Sequence, residues 1–377
     1  MYMFAFLPGH RRSYRAYNEV RISAARLAHN YRAVQELAGD KAVGVILKSN
    51  AYGHGLIPVA RIAQSLDVPY VIVDSTYEAL ILKDHRIRVP IMVMGFTALE
   101  NLQKKKYPFT FVASDRASLE TLLETQPHAP IHIFINTGMN REGFDPEDVP
   151  WLIATIRSHA AQRFEGVMSH FADADREPMS DLTRQQLACW DAVLAQFHAA
   201  GIEFSLRHID ASNSTLHARR AQGNFVRAGK AFYGIAGGEH QNYARFLPAL
   251  EFVSTIVTLR RVKKGGSVSY GATYIAPQDI HLAVIPAGYQ EGVERRLSNA
   301  GVVTIRGVLC PIVGRVCMNY TCIDVSAVEG VAVGDEVTVY SNDQAAPNSL
   351  LNVSRLVGSI PHEIMTRVDH TVRRVVQ

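Results

Sequence analysis

From about residue 17 to residue 235, short apolar runs alternate with longer amphipathic stretches, and this alternation constrains the fold more than any other feature. Such runs are typical of buried strands, and the stretches between them carry apolar residues at helical spacing. The predicted strands cover residues 42–47, 70–73, 91–94, 109–112, 131–135, 164–168 and 206–209. Repeated strand–helix units without long linkers predict a parallel sheet closed into an (α/β)8 barrel of the TIM type.

Two of the stretches between strands have clear helical periodicity. They are residues 23–38, with Leu27, Tyr31 and Val34 on one face, and residues 180–200. An open doubly wound sheet is the alternative fold for such a pattern. It is disfavoured because no Gly-x-Gly-x-x-Gly motif follows the first strand.

After about residue 245 the pattern changes to short strands separated by turns rich in glycine and proline. The predicted strands are 253–261, 282–285, 301–306, 308–313, 321–325, 336–340 and 371–376, with a short helix at 352–360. This pattern of short strands and turns predicts a predominantly β domain after the barrel. We place the barrel at residues 11–245 and the β domain at residues 246–377, with residues 1–10 as a candidate further segment of the β domain.

Composition excludes several classes of protein. The chain has 377 residues, of which 47% are hydrophobic and 20% charged, with a net charge of +4. Basic runs at 104–106 and 260–264 are short, so we expect no nucleic-acid partner. No run approaches the ~20 apolar residues of a membrane span, so we expect no membrane partner. The four cysteines show no metal or disulfide pattern, which favours a cytoplasmic protein without a bound metal.

The segment that is most informative about catalysis begins where the first barrel strand ends. Lys48 closes this apolar run, and Tyr52 and two glycines follow within seven residues. Burial of an ammonium at a strand end is costly and favours the neutral amine, which Schiff-base chemistry requires. The alternative is a lysine that extends from the strand end into solvent.

This segment resembles the pyridoxal-phosphate motif of the alanine racemases, and six further segments resemble the same family in the same order. They are Asn136–Phe144, 169–175, Ala211–Ser214, Val226–Gly234, Val268–Tyr274 and Gly314–Met318. The resemblance therefore extends over nearly the whole chain. It implies a pyridoxal 5'-phosphate enzyme that interconverts the enantiomers of a small amino acid, most simply L- and D-alanine for a bacterial cell wall.

The resemblance also implies roles for individual residues. Lys48 would bind the cofactor and act as the base on the D-enantiomer, and Tyr270 would act on the L-enantiomer. Tyr270 and Met318 would come from a second subunit of a homodimer. The residues implied to bind the cofactor are Lys48, Tyr52, His170, Asn213, Ser214, Arg227, Gly229 and Lys230. Arg141, Met318 and Tyr289 are those implied to contact the substrate.

Taken without the resemblance, several of these residues have plainer interpretations. Tyr52 could be a packing tyrosine, Arg141 a solvent-exposed loop arginine, and His170 a core histidine whose hydrogen bonds are satisfied. Tyr270 and Tyr289 could be aromatic residues on the surface of a sheet. The resemblance gives Arg227 the most mechanistic content, because it implies a guanidinium beside the pyridine nitrogen, where arginine donates a hydrogen bond but does not hand over a proton.

The chain departs from the family pattern at four positions. Phe134 stands where many members have a carbamylated lysine that orients the arginine, and Asp210 stands where a histidine is common. Asn319 replaces an aspartate, and His370 aligns with a tyrosine that contacts the phosphate. Asp210 could pair with Arg227, and the smaller His370 could admit a larger substrate than alanine.

Three other functions are compatible with parts of the pattern. One is a racemase for another small amino acid such as serine, or one of broad specificity. Another is a decarboxylase of the same fold type, for which the expected cysteine–aspartate pairing is not found. The third is a non-catalytic pyridoxal-phosphate carrier, which would lack the β domain.

Overall fold

A computed structural model describes residues 15–174, 179–217, 223–235 and 241–377, which fall into two units. The barrel unit is Ser23–Ala249. The β unit contains Leu250–Gln377 and the described N-terminal residues through Ile22, which include strand β1 (Glu19–Ile22). Strand β1 lies in the part of the sequence that we had assigned to the barrel. Strand β1 belongs to the β unit because Glu19 pairs with Val253 and with Arg373 in the sheet of that unit.

The sheet of the barrel unit has eight parallel strands. They are β2 (Ala42–Ile46), β3 (Val71–Val73), β4 (Ile91–Val93), β5 (Thr110–Ala113), β6 (Ile131–Phe134), β7 (Phe164–Met168), β8 (Leu206–His208) and β9 (Phe225–Ala228). Their spatial order runs from β8 down to β2 and then to β9. Backbone hydrogen bonds from Asn224 N to Arg207 O (3.0 Å) and from Arg227 N to Asp210 O (3.1 Å) link the two end strands. The predicted barrel is confirmed.

One helix precedes the first barrel strand, and others connect the strands that follow. They are α1 (Ala24–Ala38), α2 (Leu56–Ser65), α3 (Thr76–Asp84), α4 (Leu99–Lys104), α5 (Arg116–Thr125), α6 (Val149–Ser158), α7 (Asp181–Ala199) and α8 (Ser212–Leu216). Serine side chains cap three of them: Ser23, Ser75 and Ser180 accept a hydrogen bond from a backbone N–H in the first turn. None of the helices among the described residues is long and apolar enough to cross a bilayer.

The interior of the barrel is a packed apolar core rather than a pore. Its buried residues come from seven strands and from the position before β3. They are Ile46, Tyr70, Ile72, Met92, Val112, Phe134, Met168 and Phe225. Leu206 of β8 packs against this cluster. Inward side chains that fill a barrel in layers leave catalytic groups to the C-terminal ends of the strands. The site is therefore expected at that rim.

The β unit contains most of the remaining strands. They are β10 (Leu250–Thr255), β11 (Thr258–Val262), β12 (Ser267–Val268), β13 (Tyr274–Ile275), β14 (Ile280–Ile285), β15 (Val302–Ile305), β16 (Val308–Pro311), β17 (Thr321–Asp324), β18 (Glu336–Tyr340) and β19 (Arg373–Val376). Six of them, with β1 included, form one sheet in the order β16-β15-β18-β10-β1-β19, and β11-β14-β17 form another. The predicted β domain is confirmed.

Two predicted elements of the β unit differ from those in the structure. Residues 253–261 were expected to form one strand, but β10 and β11 belong to different sheets. The predicted helix at 352–360 corresponds to α9 (Leu350–Leu356), and a second helix, α10 (Pro361–Thr366), follows it. Pro361 starts α10 because proline has no backbone N–H to donate within a continuing helix.

Candidate active site

Lys48 lies two residues beyond β2, at the C-terminal end of the barrel, and begins a left-handed turn. Ser49, Asn50, Ala51 and Tyr52 have φ angles of 56°, 55°, 53° and 52°. Each L-residue in this conformation costs about 1–2 kcal/mol, so four in succession form a strained segment. We did not predict this turn, because only Asn50 among the four is a residue type that tolerates the conformation well.

Asn50 links this turn to neighbouring segments through both its side chain and its backbone. Asn50 Oδ1 accepts from Leu56 N (2.8 Å), and Asn50 N donates to Glu78 Oε1 (3.2 Å). Lys48 Nζ lies 3.4 Å from Asp74 Oδ1, and 35% of its side chain is exposed. The Lys48 side chain is therefore partly exposed, and the buried amine that we expected is not seen in this chain alone.

Tyr52 packs deep in the site and faces the backbone at Gly229. Its ring stacks on Tyr233 with centroids 5.0 Å apart. A Cβ placed on Gly229 would lie 3.1 Å from Tyr52 Oη, so the absence of a side chain at Gly229 lets the hydroxyl approach. Burial, with a smaller effect of the Asp74 charge, raises the pKa of Tyr52 to about 12. The hydroxyl therefore stays protonated and can donate a hydrogen bond to an anion.

The loops after β8 and β9 meet beside this hydroxyl. Ser212 Oγ accepts from Gly229 N (3.0 Å) and Ala231 N (3.3 Å). Ser214 Oγ instead accepts from Ala211 N (2.9 Å), within its own turn. The sequence drew attention to Ser214, and Ser212 was missed although it belongs to the same Ser-Asn-Ser motif.

The other two predicted cofactor residues from these loops contact Tyr243. Asn213 Oδ1 accepts from the Tyr243 hydroxyl at 3.5 Å. Lys230 Nζ lies 5.7 Å from the centroid of the Tyr243 ring. Both residues therefore support the loop through Tyr243 in this structure.

Arg227, on β9, is fully buried, and its guanidinium donates hydrogen bonds to acceptors on β8 and on the segment after β7. Nη1 donates to His208 Nδ1 (2.7 Å) and His208 O (2.8 Å). Nη2 donates to Ser169 O (2.7 Å) and lies 3.1 Å from His170 Nδ1. Burial, opposed by the charge of Asp210, lowers the pKa of Arg227 to about 10. Arg227 therefore remains a cation at neutral pH.

A chain of hydrogen bonds continues from Arg227 through the barrel interior. His208 Nε2 lies 2.7 Å from His132 Nδ1, and His132 Nε2 lies 3.1 Å from Glu165 Oε2. Tyr70 (2.5 Å) and Arg163 also donate to the Glu165 carboxylate. None of these five residues was among the predicted site residues, because their roles depend on neighbouring strands rather than on a local motif.

The two ends of this chain fix the protons within it. An arginine only donates, so His208 must accept at Nδ1 and carry its proton on Nε2. His132 then accepts at Nδ1 and donates from Nε2 to Glu165. Burial lowers the pKa values of both histidines, so both are neutral. Burial would raise the pKa of Glu165, but the hydrogen bonds from His132 and Tyr70 lower it to about 2.

His170, two residues beyond β7, lies with its Nδ1 3.1 Å from Arg227 Nη2, and the charges of Arg141 and Lys48 also act on it. Its pKa is lowered to about 3 by burial and by the charges of Arg227, Arg141 and Lys48. Three cations around a neutral histidine match a ligand with several negative charges, such as a phosphate ester that also carries a phenolate. Together with the cradle at Tyr52 and Gly229, these residues fit pyridoxal phosphate.

Arg141 lies on the loop after β6. Its Nε and Nη2 both donate to Glu142 Oε1, at 3.0 and 2.6 Å. Phe134 belongs to the barrel core and offers Arg141 no acceptor. Asp210, which we had considered as a partner for Arg227, instead pairs with Lys41 at 2.6 Å.

The remaining predicted residues are on loops of the β unit. Tyr270 starts a short 3-10 turn and is 72% exposed. Tyr289 and Met318 are also exposed and lie on adjoining loops, because Tyr289 N donates to Cys317 O (3.0 Å). The side chain of His370 is largely exposed, with Nδ1 3.7 Å from Asp369 Oδ1. Asn319 Nδ2 donates to Glu291 Oε1 at 2.8 Å.

Comparison with known proteins places these features in one family. The sequence model described as "Alanine racemase, N-terminal domain" matches residues 22–237, and "Alanine racemase, C-terminal domain" matches residues 249–376. Alanine racemase 2 of Caldanaerobacter subterraneus subsp. tengcongensis is 34% identical over 365 residues, which are 94% of each chain.

Solved structures agree with the sequence matches. Alanine racemase from Streptomyces lavendulae superposes with a TM-score of 0.86 at 28% identity, covering 97% of this chain and 98% of that one. The Clostridium difficile 630 enzyme gives 0.89 at 26% identity, covering 97% of each. The fold and site define a barrel enzyme with a lysine at the first strand end and a C-terminal β domain. Within that class, the chain belongs to the alanine racemase family.

Proposed function

We propose that the protein is a pyridoxal-phosphate-dependent racemase that interconverts L-alanine and D-alanine. The observation that carries the proposal is that the charges of Lys48, Arg141 and Arg227, at the C-terminal rim of the barrel, all act on His170, which Arg227 also contacts. A rim with this charge suits a substrate and a cofactor that are both anionic. Family membership over nearly the whole chain supports the reaction.

The residues on this rim would hold the cofactor as follows. Lys48 Nζ would make the covalent bond to its aldehyde, and His170 would lie beside the pyridine ring. The Tyr52 hydroxyl and the backbone at Gly229 would contact the phosphate, with Ser212 and Ser214 beside them. When bound, pyridoxal phosphate withdraws electrons from the substrate Cα and so acidifies its proton.

Arg227 would face the pyridine nitrogen. Because its pKa is about 10, it donates a hydrogen bond there but keeps its proton at neutral pH. A ring nitrogen that stays unprotonated withdraws fewer electrons, which favours return of the proton to Cα over its delivery elsewhere. The hydrogen bonds to His208 and Ser169 hold the guanidinium in the position that this role requires.

Inversion at Cα needs a proton donor and acceptor on each face. Lys48 would remove the proton of D-alanine, and Tyr270 of a second subunit would remove that of L-alanine, each returning a proton in the opposite direction. Exposure of Tyr270, Tyr289 and Met318 on the β unit supports a homodimer in which these side chains complete the partner's site. Arg141 would bind the substrate carboxylate.

The alternatives are less well supported. The hypothesis of a serine or broad-specificity racemase was based on His370. It is less well supported because the relatives reported above are alanine racemases. The match to the C-terminal domain argues against a pyridoxal-phosphate carrier, because a carrier consists of the barrel alone and has no such domain. We propose a reducing compartment such as the cytoplasm, because all four cysteines are free thiols.

The test is a substrate panel. Purified holoenzyme is incubated with each common L-amino acid, and the products are separated on a chiral column. We expect D-alanine to form fastest, and the reverse reaction from D-alanine to proceed as well. Faster racemisation of serine, or bound cofactor without any racemisation, would contradict the proposed function.

A further inference from the structure

The loop that carries Arg141 is held in one conformation at its base. Asn136 N donates to Phe144 O (2.8 Å), which closes residues 136–144 into a loop. The Asn136 side chain bonds within it as well: Oδ1 accepts from Asn140 N (3.0 Å), and Nδ2 donates to Asp145 Oδ1 (2.9 Å). Gly143 has a φ of +107°, and a Cβ there would lie 2.8 Å from Asn136 N. The backbone at Arg141 is therefore well fixed.

The guanidinium of Arg141 needs a separate restraint, because its long side chain is half exposed. Among the described residues its hydrogen bonds go to Glu142, where one oxygen accepts from both Nε and Nη2. This fork occupies the side edge of the guanidinium. The end edge, formed by Nη1 and the second N–H of Nη2, stays available for a carboxylate.

We propose that Glu142 is a positioning residue that holds the side edge of Arg141, so that the substrate carboxylate binds to the end edge. This inference rests on the proposed function for the identity of the substrate. Phe134 lies in the barrel core and cannot serve as an acceptor, so the orientation of Arg141 depends on its sequence neighbour. Glu142 would act through Arg141, whose Nε and Nη2 it accepts from.

Propionate tests the proposal without catalysis, since it has the carboxylate of alanine but no amine. Its dissociation constant for the holoenzyme is measured by calorimetry in wild type, Glu142→Ala, Glu142→Leu and Glu142→Gln. We expect the alanine and leucine variants to bind propionate about two- to fivefold more weakly, the range for an exposed ion pair. Glutamine retains an oxygen acceptor and should stay within about twofold of wild type. Glu147→Gln, a charge removal at an exposed position nearby, is the matched control and should have no effect.

Steady-state kinetics separates positioning from a general structural role. Loss of positioning raises KM for both enantiomers by the same factor as the propionate dissociation constant, with little change in kcat. The proposal is overturned if Glu142→Leu binds propionate as wild type does. It is also overturned if both the leucine and glutamine variants bind propionate more tightly, because Glu142 would then act as a competing anion. If wild type racemises no amino acid, the proposed function fails, and the propionate series still decides the role of Glu142.

Discussion

Nη1 of Arg227 lies 2.7 Å from Nδ1 of His208, and this contact joins the proposed cofactor site to a polar chain inside the barrel. The chain runs through His132 to Glu165, with both histidines neutral. A buried polar chain stabilises a protein when every member is satisfied and costs stability when one is removed. Its far end, Glu165, is therefore the residue whose replacement tests it.

We expect Glu165→Gln to lower the free energy of unfolding by about 1–3 kcal/mol, because Tyr70, Arg163 and His132 lose a charged acceptor. Urea denaturation monitored by circular dichroism measures the change. Glu120→Gln, at an exposed position on α5, removes the same charge and should leave stability nearly unchanged. Equal stability of the two variants would show that the hydrogen bonds to Glu165 do not stabilise the folded protein as we infer.

Gly229→Ala should weaken cofactor binding, because the new Cβ would lie 3.1 Å from the Tyr52 hydroxyl and displace it. We expect roughly a tenfold loss, the equivalent of one hydrogen bond to a charged group. Tyr52→Phe should cause a similar loss. The double variant should be no worse than Tyr52→Phe alone, since the displaced group is already gone. Additive losses in fluorescence titrations of the apoenzyme would mean that the two positions act independently.

The left-handed turn makes Ser49 a test of backbone strain. Ser49→Gly should be more stable than Ser49→Val by about 1–2 kcal/mol, because glycine adopts positive φ freely and a β-branched residue does so poorly. Thermal unfolding of the two variants and wild type gives the order. If valine is tolerated as well as glycine, Ser49 does not have the φ of 56° described here.

These results show which parts of the molecule its sequence could predict. Seven barrel strands were predicted, most of them from short apolar runs such as Val71–Val73. Strand β9 was not predicted as a strand. Its buried Arg227 is recognisable only when its acceptors on neighbouring strands are known. Most strands of the β unit were predicted, but the division between β10 and β11 depends on which sheet each half joins.

The site was predictable only in part, for the same reason. Motif resemblance gave Lys48, Arg141, His170 and Arg227, and the charges of the other three all lower the pKa of His170. Glu142 was within a quoted motif, yet its contact with Arg141 could not be read from the sequence. The His132–Glu165 contact joins strands β6 and β7, and no local pattern encodes a pairing across strands.

Acid should destabilise the protein partly through His170. Its pKa is about 3 in the folded protein and about 6.5 in an unfolded chain, so its neutral form is the one that folding favours. As pH falls from about 6.5 towards 3, the unfolded chain takes up a proton that the folded chain does not, and stability is lost. His170→Gln should therefore show a smaller fall in melting temperature between neutral and mildly acidic pH. An unchanged fall would contradict this assignment.

The central claim is that Lys48 and Tyr270 act on opposite faces of the substrate Cα. Hydrogen exchange at Cα in heavy water tests it most directly, with the enantiomers separated and their deuterium measured by mass spectrometry. We predict that Tyr270→Phe holoenzyme exchanges the Cα hydrogen of D-alanine through Lys48, exchanges that of L-alanine far more slowly, and barely interconverts the two. Equal exchange of both enantiomers by this variant, or racemisation at the wild-type rate, would contradict the account.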